Sequence, residues 1–308
     1  MTCYRVTMWP GERVRVPAVA PLDRCEVHDR EGVAGGPFLL LGRSRELNEL
    51  PDELYLRELR NLDVTDADAM ARFCERYGRL STYYFDEIPN FERTRHPKDS
   101  PLYHRLMDLR FAHADWLRAQ GEKFPYEFTA VESLEETAMY VTLVRDMTRV
   151  WQYHQGMLTF DEVVAAWENK LQFFYDASDE HTWSPQSTED LYLFLGDHLG
   201  AALVSFHVRP LIHKEDEEEN ELRWGERPVT LYAALCLQLA NHMAEKADYR
   251  TCKKCGTLFV RQQGRAEIGQ YRTGGELFFC SKRCAHSYTQ REYRKRQAAN
   301  KMEGRSMT

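Results

Sequence analysis

Cys252 and Cys255 enclose two lysines, Cys280 and Cys284 enclose Ser281, Lys282 and Arg283, and 24 residues lie between the two pairs. Thiolates are soft donors, and these spacings suit a closed, tetrahedral zinc site with four cysteine ligands. A C-x-x-C turn brings two thiolates to one metal from a tight knuckle. A C-x-x-x-C pair does the same from the first turn of a helix. The segment between reads as a hairpin, with Thr257-Leu-Phe-Val260 as one strand and Glu276-Leu-Phe-Phe279, after Gly274-Gly275, as the other. Knuckle, hairpin and helix in that order describe a treble-clef finger. The expectation is one structural Zn2+ held by Cys252, Cys255, Cys280 and Cys284, with no open position for a catalytic water. The alternatives for these thiols are two disulfides or no shared role.

The residues after Cys284 contain neither Gly nor Pro until Gly304, so one helix of about 18 residues can run from Ala285, with Ser281 as its cap. Arg291, Arg294, Lys295 and Arg296 lie on it and Arg283 beside its start, and the hairpin loop adds Arg265 and Arg272. Arg reads base edges, Lys and Arg neutralise phosphates, and a helix fits a DNA major groove. These seven residues are the candidate nucleic-acid contacts. The rival is a finger that docks a protein partner, a second copy, or the chain's own acidic body.

Charge supports the first reading. Residues 249–308 hold 14 Lys+Arg against 4 Asp+Glu, which leaves 27 against 44 of the chain's totals of 41 and 48 in the preceding body. A basic tail on an acidic body points to nucleic acid or to an intramolecular contact.

The elements that must position the site are mostly helical. Residues 1–45 read as strands and turns, with period-two runs at Tyr4–Trp9 and Arg13–Val16 and an apolar run at Phe38–Leu41. Helices follow: Asp66–Tyr77 capped by Thr65 and stopped by Gly78, one from Ser100-Pro101 to about Gly121, and Ser133–Gln155. Others open at Thr159 and Thr188, the latter running to about Phe206, and the last body helix spans Pro228–Asp248. Lys214–Asn220 is an acidic exposed loop. The expected fold is mainly α with a small N-terminal β element, followed by a C-terminal four-cysteine treble-clef zinc finger. The units are residues 1–248, 249–301 and a flexible tail at 302–308. The body's apolar helix faces predict that residues 1–248 fold without zinc.

Enzyme chemistry finds no support in the sequence. No H-E-x-x-H, G-x-S-x-G, P-loop or G-x-G-x-x-G motif occurs, and the histidines lie at the wrong spacing for a helical metal pair. His28, His154 and His242 read as surface or satisfied core residues. Cys74 and Cys236 lie on apolar helix faces as buried hydrophobes. No signal peptide or membrane-length apolar run is visible, so the expected compartment is a reducing cytoplasm.

The C-terminal layout resembles bacterial CGNR-type zinc-finger proteins, in which a stress-response domain called ABATE precedes the finger. The shared features are a helix leading into the cysteines, the Leu258-Phe259-Val260 strand, Phe279-Cys-Ser-Lys-Arg-Cys284, and the basic Tyr293-Arg-Lys-Arg296 stretch. The chain departs from that pattern at Ala285-His-Ser, where the family carries Gly-Asn-Arg, and in its narrower first cysteine pair. The resemblance implies DNA binding and transcription regulation, and it covers about 50 residues of the C-terminal region.

Overall fold

The computed structural model describes residues 16, 18–28, 37–51, 53–80, 130–168, 184–203, 209–211, 223–225, 230–261, 271–273 and 276–306. The runs at residues 4–9 and 13–15, the helix expected from Ser100, the acidic loop and Arg265 lie outside these. Three short strands form an antiparallel sheet: β1 (Cys25–His28), β2 (Phe38–Leu41) and β3 (Ala130–Ser133), in the order β1-β2-β3. β2 is central and buried along its whole length, which is why it reads as an unbroken apolar run. β1 pairs Cys25 with Leu41, and β3 pairs Ser133 with Phe38. Ser133 then caps the next helix, so β3 leads directly into it. A separate small ribbon joins β4 (Arg209–Leu211) to β5 (Arg223–Gly225).

The helices are α1 (Leu54–Arg57), α2 (Ala67–Tyr77), α3 (Leu134–His154), α4 (Phe160–Ala165), α5 (Thr188–Leu203) and α6 (Leu231–Ala244). Their starts follow capping chemistry. Ser133 accepts from Glu136 N, and Thr159 forms a full capping box with Glu162, so both helices start where the sequence predicts. One cap falls one residue from expectation. Asp66, not Thr65, accepts from Ala69 N, because Thr65 is turned back onto Asp63 Oδ1. α5 begins at Thr188, as the sequence predicts, with Ser187 Oγ accepting from Asp190 N at 3.2 Å and Asp190 Oδ2 accepting in return from Ser187 N. Both sites hold two adjacent capping residues, and the contacts around them decide between the two. Gly78 ends α2 with φ 100, and a Cβ there would meet Ala20 O at 2.7 Å, so glycine is required on both counts.

α6 is shorter than expected. It begins after Thr230, which caps Ala233 N, and ends at Ala244. Lys246 N–H donates to Met243 O and Ala247 N–H to His242 O, with Lys246 at φ 51. This is a Schellman closure with lysine where glycine is usual. It turns the chain into a strand before the first cysteine. Residues from Leu231 to Met243 are all buried, so α6 is the central helix of the body. α3 and α5 pack against it, α2 packs on β1, and Leu39, Tyr140, Val144, Met147, Leu195, Leu235 and Leu239 share one core. Cys74 and Cys236 are fully buried within it, as the apolar faces predict.

Charged groups pin this core at two places. Arg145 donates from Nε and Nη2 to Leu59 O at 3.0 and 2.9 Å and pairs with Glu168 at 2.8 Å, while Arg149 bridges Asp146 and Glu168. Arg79 pairs with the buried Glu132 of β3, which also accepts from Thr137.

Past α6 the structure changes character. β6 (Asp248–Thr251) pairs antiparallel with β7 (Leu258–Arg261), and β8 (Tyr271–Thr273) pairs with β9 (Glu276–Phe279). The expected hairpin partners, β7 and β9, therefore belong to different ribbons. The last helix, α7, spans Lys282–Ser306, so it continues through Gly304 into the segment expected as a tail.

Candidate metal centre and basic helix

The first cysteine pair sits on the turn between β6 and β7. Cys252 N–H donates to Thr257 O and Gly256 N–H to Cys252 O, both at 2.9 Å, which folds the knuckle tightly. Gly256 has φ 71 and nothing within 4 Å of a built Cβ, so its backbone angle alone calls for glycine. The second pair sits where β9 enters α7. Ser281 Oγ accepts from Cys284 N at 3.3 Å, the expected cap. Lys253 N–H donates to Phe278 O at 2.9 Å and stitches the knuckle to β9.

These turns bring the four sulfurs of Cys252, Cys255, Cys280 and Cys284 within 4.8 Å of one another. Cys255 lies 3.6 Å from Cys280 and 3.8 Å from Cys284, and Cys280 lies 3.6 Å from Cys284. A tetrahedron with metal–sulfur bonds of about 2.3 Å has edges of about 3.8 Å. A disulfide would require about 2.05 Å. Four sulfurs so placed could hold one metal ion, and at these separations they are not joined as disulfides.

The surroundings favour thiolates at the exposed side. Burial opposes ionisation of Cys255, but the Thr257 hydroxyl at 3.2 Å, the Thr257 backbone and the neighbouring sulfurs bring its thiol down to about 6. Cys280 moves the other way, pushed up by its burial and by sharing protons with Cys255 and Cys284. Cys252 is buried and Cys255 exposed, so the site has an inner and an outer face.

A miniature core surrounds the inner face: Cys252, Phe259, Phe279 and Ala285, with Phe278 and Tyr288 against them. β7 alternates cleanly. Leu258 and Val260 belong to the core of the body, while Phe259 between them faces the cysteines. Tyr249 also belongs to the body core, and its hydroxyl meets that of Tyr55, which lies 2.5 Å from His242 Nδ1. Gln155 reinforces the join by donating to Ala247 O. The β6–β7 ribbon is thus one wall of both hydrophobic clusters. Sequence reading missed this double role, although the alternation Leu258-Phe259-Val260 carries its signal.

On α7, Arg283, Arg291, Arg294, Lys295 and Arg296 are all exposed. Arg291 sits 5.5 Å from the centre of the Tyr288 ring, which in turn packs 5.1 Å from Phe279. Glu292 lies 3.2 Å from Lys295 and 3.8 Å from Arg291. Among the described residues no carboxylate stands within ion-pair distance of Arg283, Arg294 or Arg296, and none of these five cations pairs with the body. At 100° per residue Arg283, Arg291, Arg294 and Lys295 fall in one arc of about 120°, while Arg296 points away from it. Arg272 is a residue of β8.

The body offers less. His242 is a satisfied core residue, and His154 stacks on Trp151 with Tyr192 OH at 3.1 Å from its Nδ1, as expected. A shallow groove lined by Pro21, Arg45, Asn48, Arg72, Glu75 and Arg76 holds arginines already engaged with Asp23 O, Asp66 and Glu58. No helix among the described residues is long and apolar enough to cross a membrane. No protein-family model, curated protein or solved structure matches this chain.

Proposed function

We propose that the chain is a zinc-dependent DNA-binding protein, a bacterial transcription regulator of the CGNR-like kind that reads its target with α7. Four thiolates in a tetrahedral cluster suit Zn2+, and the closed donor set leaves it a structural role. The succession of knuckle, β8–β9 hairpin and helix supports a treble-clef finger. When bound, the metal locks the start of α7 to the β6–β7 turn; every other contact comes from the protein. The observation that carries the reading is the exposed arc of Arg283, Arg291, Arg294 and Lys295, none of it paired with the acidic body among the described residues. The body then acts as a sensor or oligomerisation module. A second reading, a finger that docks a protein, is favoured by Tyr293, an α7 ring left 63% exposed.

Genome-wide immunoprecipitation of the tagged protein from its host tests the reading. Discrete promoter peaks are expected; no enrichment of DNA overturns it. Elemental analysis of the purified chain should give one zinc per chain. Full occupancy in a Cys252→Ser, Cys280→Ser variant would overturn the metal assignment.

A further inference from the structure

Both cysteine pairs enclose basic residues, and the fold gathers them. Lys253 and Lys254 lie between the first two sulfurs, and Lys282 and Arg283 between the second two. Because all four sulfurs fall within 4.8 Å, the two turns that carry these cations meet at the start of α7. Lys253 is fixed there twice, by its N–H to Phe278 O at 2.9 Å and by its ammonium, 3.3 Å from the centre of the Phe278 ring. The aromatic face holds the ammonium in place while leaving N–H donors for a further partner. Arg250, on the neighbouring strand, is spent on Asp248 at 2.7 Å. Four thiolates around a divalent ion carry a charge of −2, which Lys253, Lys254 and Arg283 together exceed. Glu292, a carboxylate of α7, lies more than two turns further along the helix.

We propose that Lys253 and Lys254 are phosphate contacts to duplex DNA, forming with Arg283 one side of a two-sided clamp. This rests on the DNA-binding reading of α7. The other side is Arg291, Arg294 and Lys295. Arg283 and Arg294 lie about 16 Å apart along the helix at 1.5 Å per residue. A major groove is about 12 Å wide, so cations at that separation reach the phosphates on its two walls. The stretch between, including the exposed His286 and Gln290, then faces base edges. Phosphate contacts fix register, and the residues between them specify sequence.

The test is fluorescence anisotropy of a labelled random-sequence DNA duplex across a salt titration. It compares the full-length parent with a Lys253→Ala, Lys254→Ala variant and a Lys253→Arg, Lys254→Arg variant. Each lost phosphate contact lowers the log–log salt slope by about 0.9, so the alanine variant should lose about 1.8 and the arginine variant almost nothing. Metal content should be unchanged in both. An unaltered slope in the alanine variant, beside a parent that binds, overturns the clamp and leaves the DNA reading standing. Loss of metal from the alanine variant also overturns it, and assigns the lysines to balancing the charge of the site. A parent that binds no duplex at any salt overturns both.

Discussion

Gly256 shows how much a single backbone angle decides at the metal centre. Its φ of 71 closes the knuckle, and open space surrounds the position of its missing side chain. Gly256→Ala therefore introduces no clash, only the left-handed penalty of about 1–2 kcal/mol. Because metal binding and folding are one process there, the variant should bind zinc about tenfold more weakly in a competition titration with a chromophoric chelator. Undiminished affinity would show that the turn has another way to close. His198 is a residue-scale determinant of pH stability. Its ring is fully buried between α5 and the core, and burial lowers its pKa to about 3. The folded state therefore holds it neutral, while the unfolded chain takes up a proton below about 6.5. Stability is complete above that pH and falls as pH drops, by about 1.4 kcal/mol per unit, until the folded pKa is reached. Urea unfolding at a series of pH values should show this slope in the parent and a shallower one in His198→Leu, the difference isolating this group from the other titrating residues.

At the scale of elements, the end of α6 carries a removable strain. Lys246 adopts φ 51 in a Schellman closure whose two hydrogen bonds are already made, and its side chain is exposed. Lys246→Gly relieves the left-handed penalty and should stabilise the protein by about 1 kcal/mol, seen as a higher midpoint in chemical denaturation. A loss of stability would assign the lysine a contact of its own. Caps explain why most helix starts are readable and why one is displaced by one residue. Where Thr65 stands beside Asp66, or Thr188 beside Ser187, local preference is nearly equal. The Asp63–Thr65 turn and the mutual Ser187–Asp190 pair then settle the choice.

At the scale of the molecule, the β6–β7 ribbon joins the body to the metal centre. Tyr249, Leu258 and Val260 fill the body core, and Cys252 and Phe259 on the same two strands and their turn face the cysteines. A truncation at Asp248 therefore removes part of the body's own core, which bears directly on the expectation that residues 1–248 fold alone. Leu258→Ala should destabilise the body by about 2–5 kcal/mol. Chelation of the metal should lower the melting temperature of the body together with that of the finger. Differential scanning calorimetry with and without a strong chelator checks this. A body transition untouched by chelation would mean that the ribbon stays folded without its metal.

The sequence by itself determined the features that depend on near neighbours. Thiol spacing places four ligands, apolar periodicity and capping residues place helices, and a stretch at 285–303 free of Gly and Pro places α7. Such signals are local because a turn or a helix closes its hydrogen bonds within a few residues. Tertiary structure alone decided which strands pair. A short apolar strand such as Leu258–Arg261 can bond to any edge, and it chose β6 because the knuckle delivers that strand at once, leaving β9 to β8. The same holds for the ribbon's two faces and for Lys253 beside Phe278. Chain separation carries no information about which surfaces meet; burial and packing across the whole chain supply it.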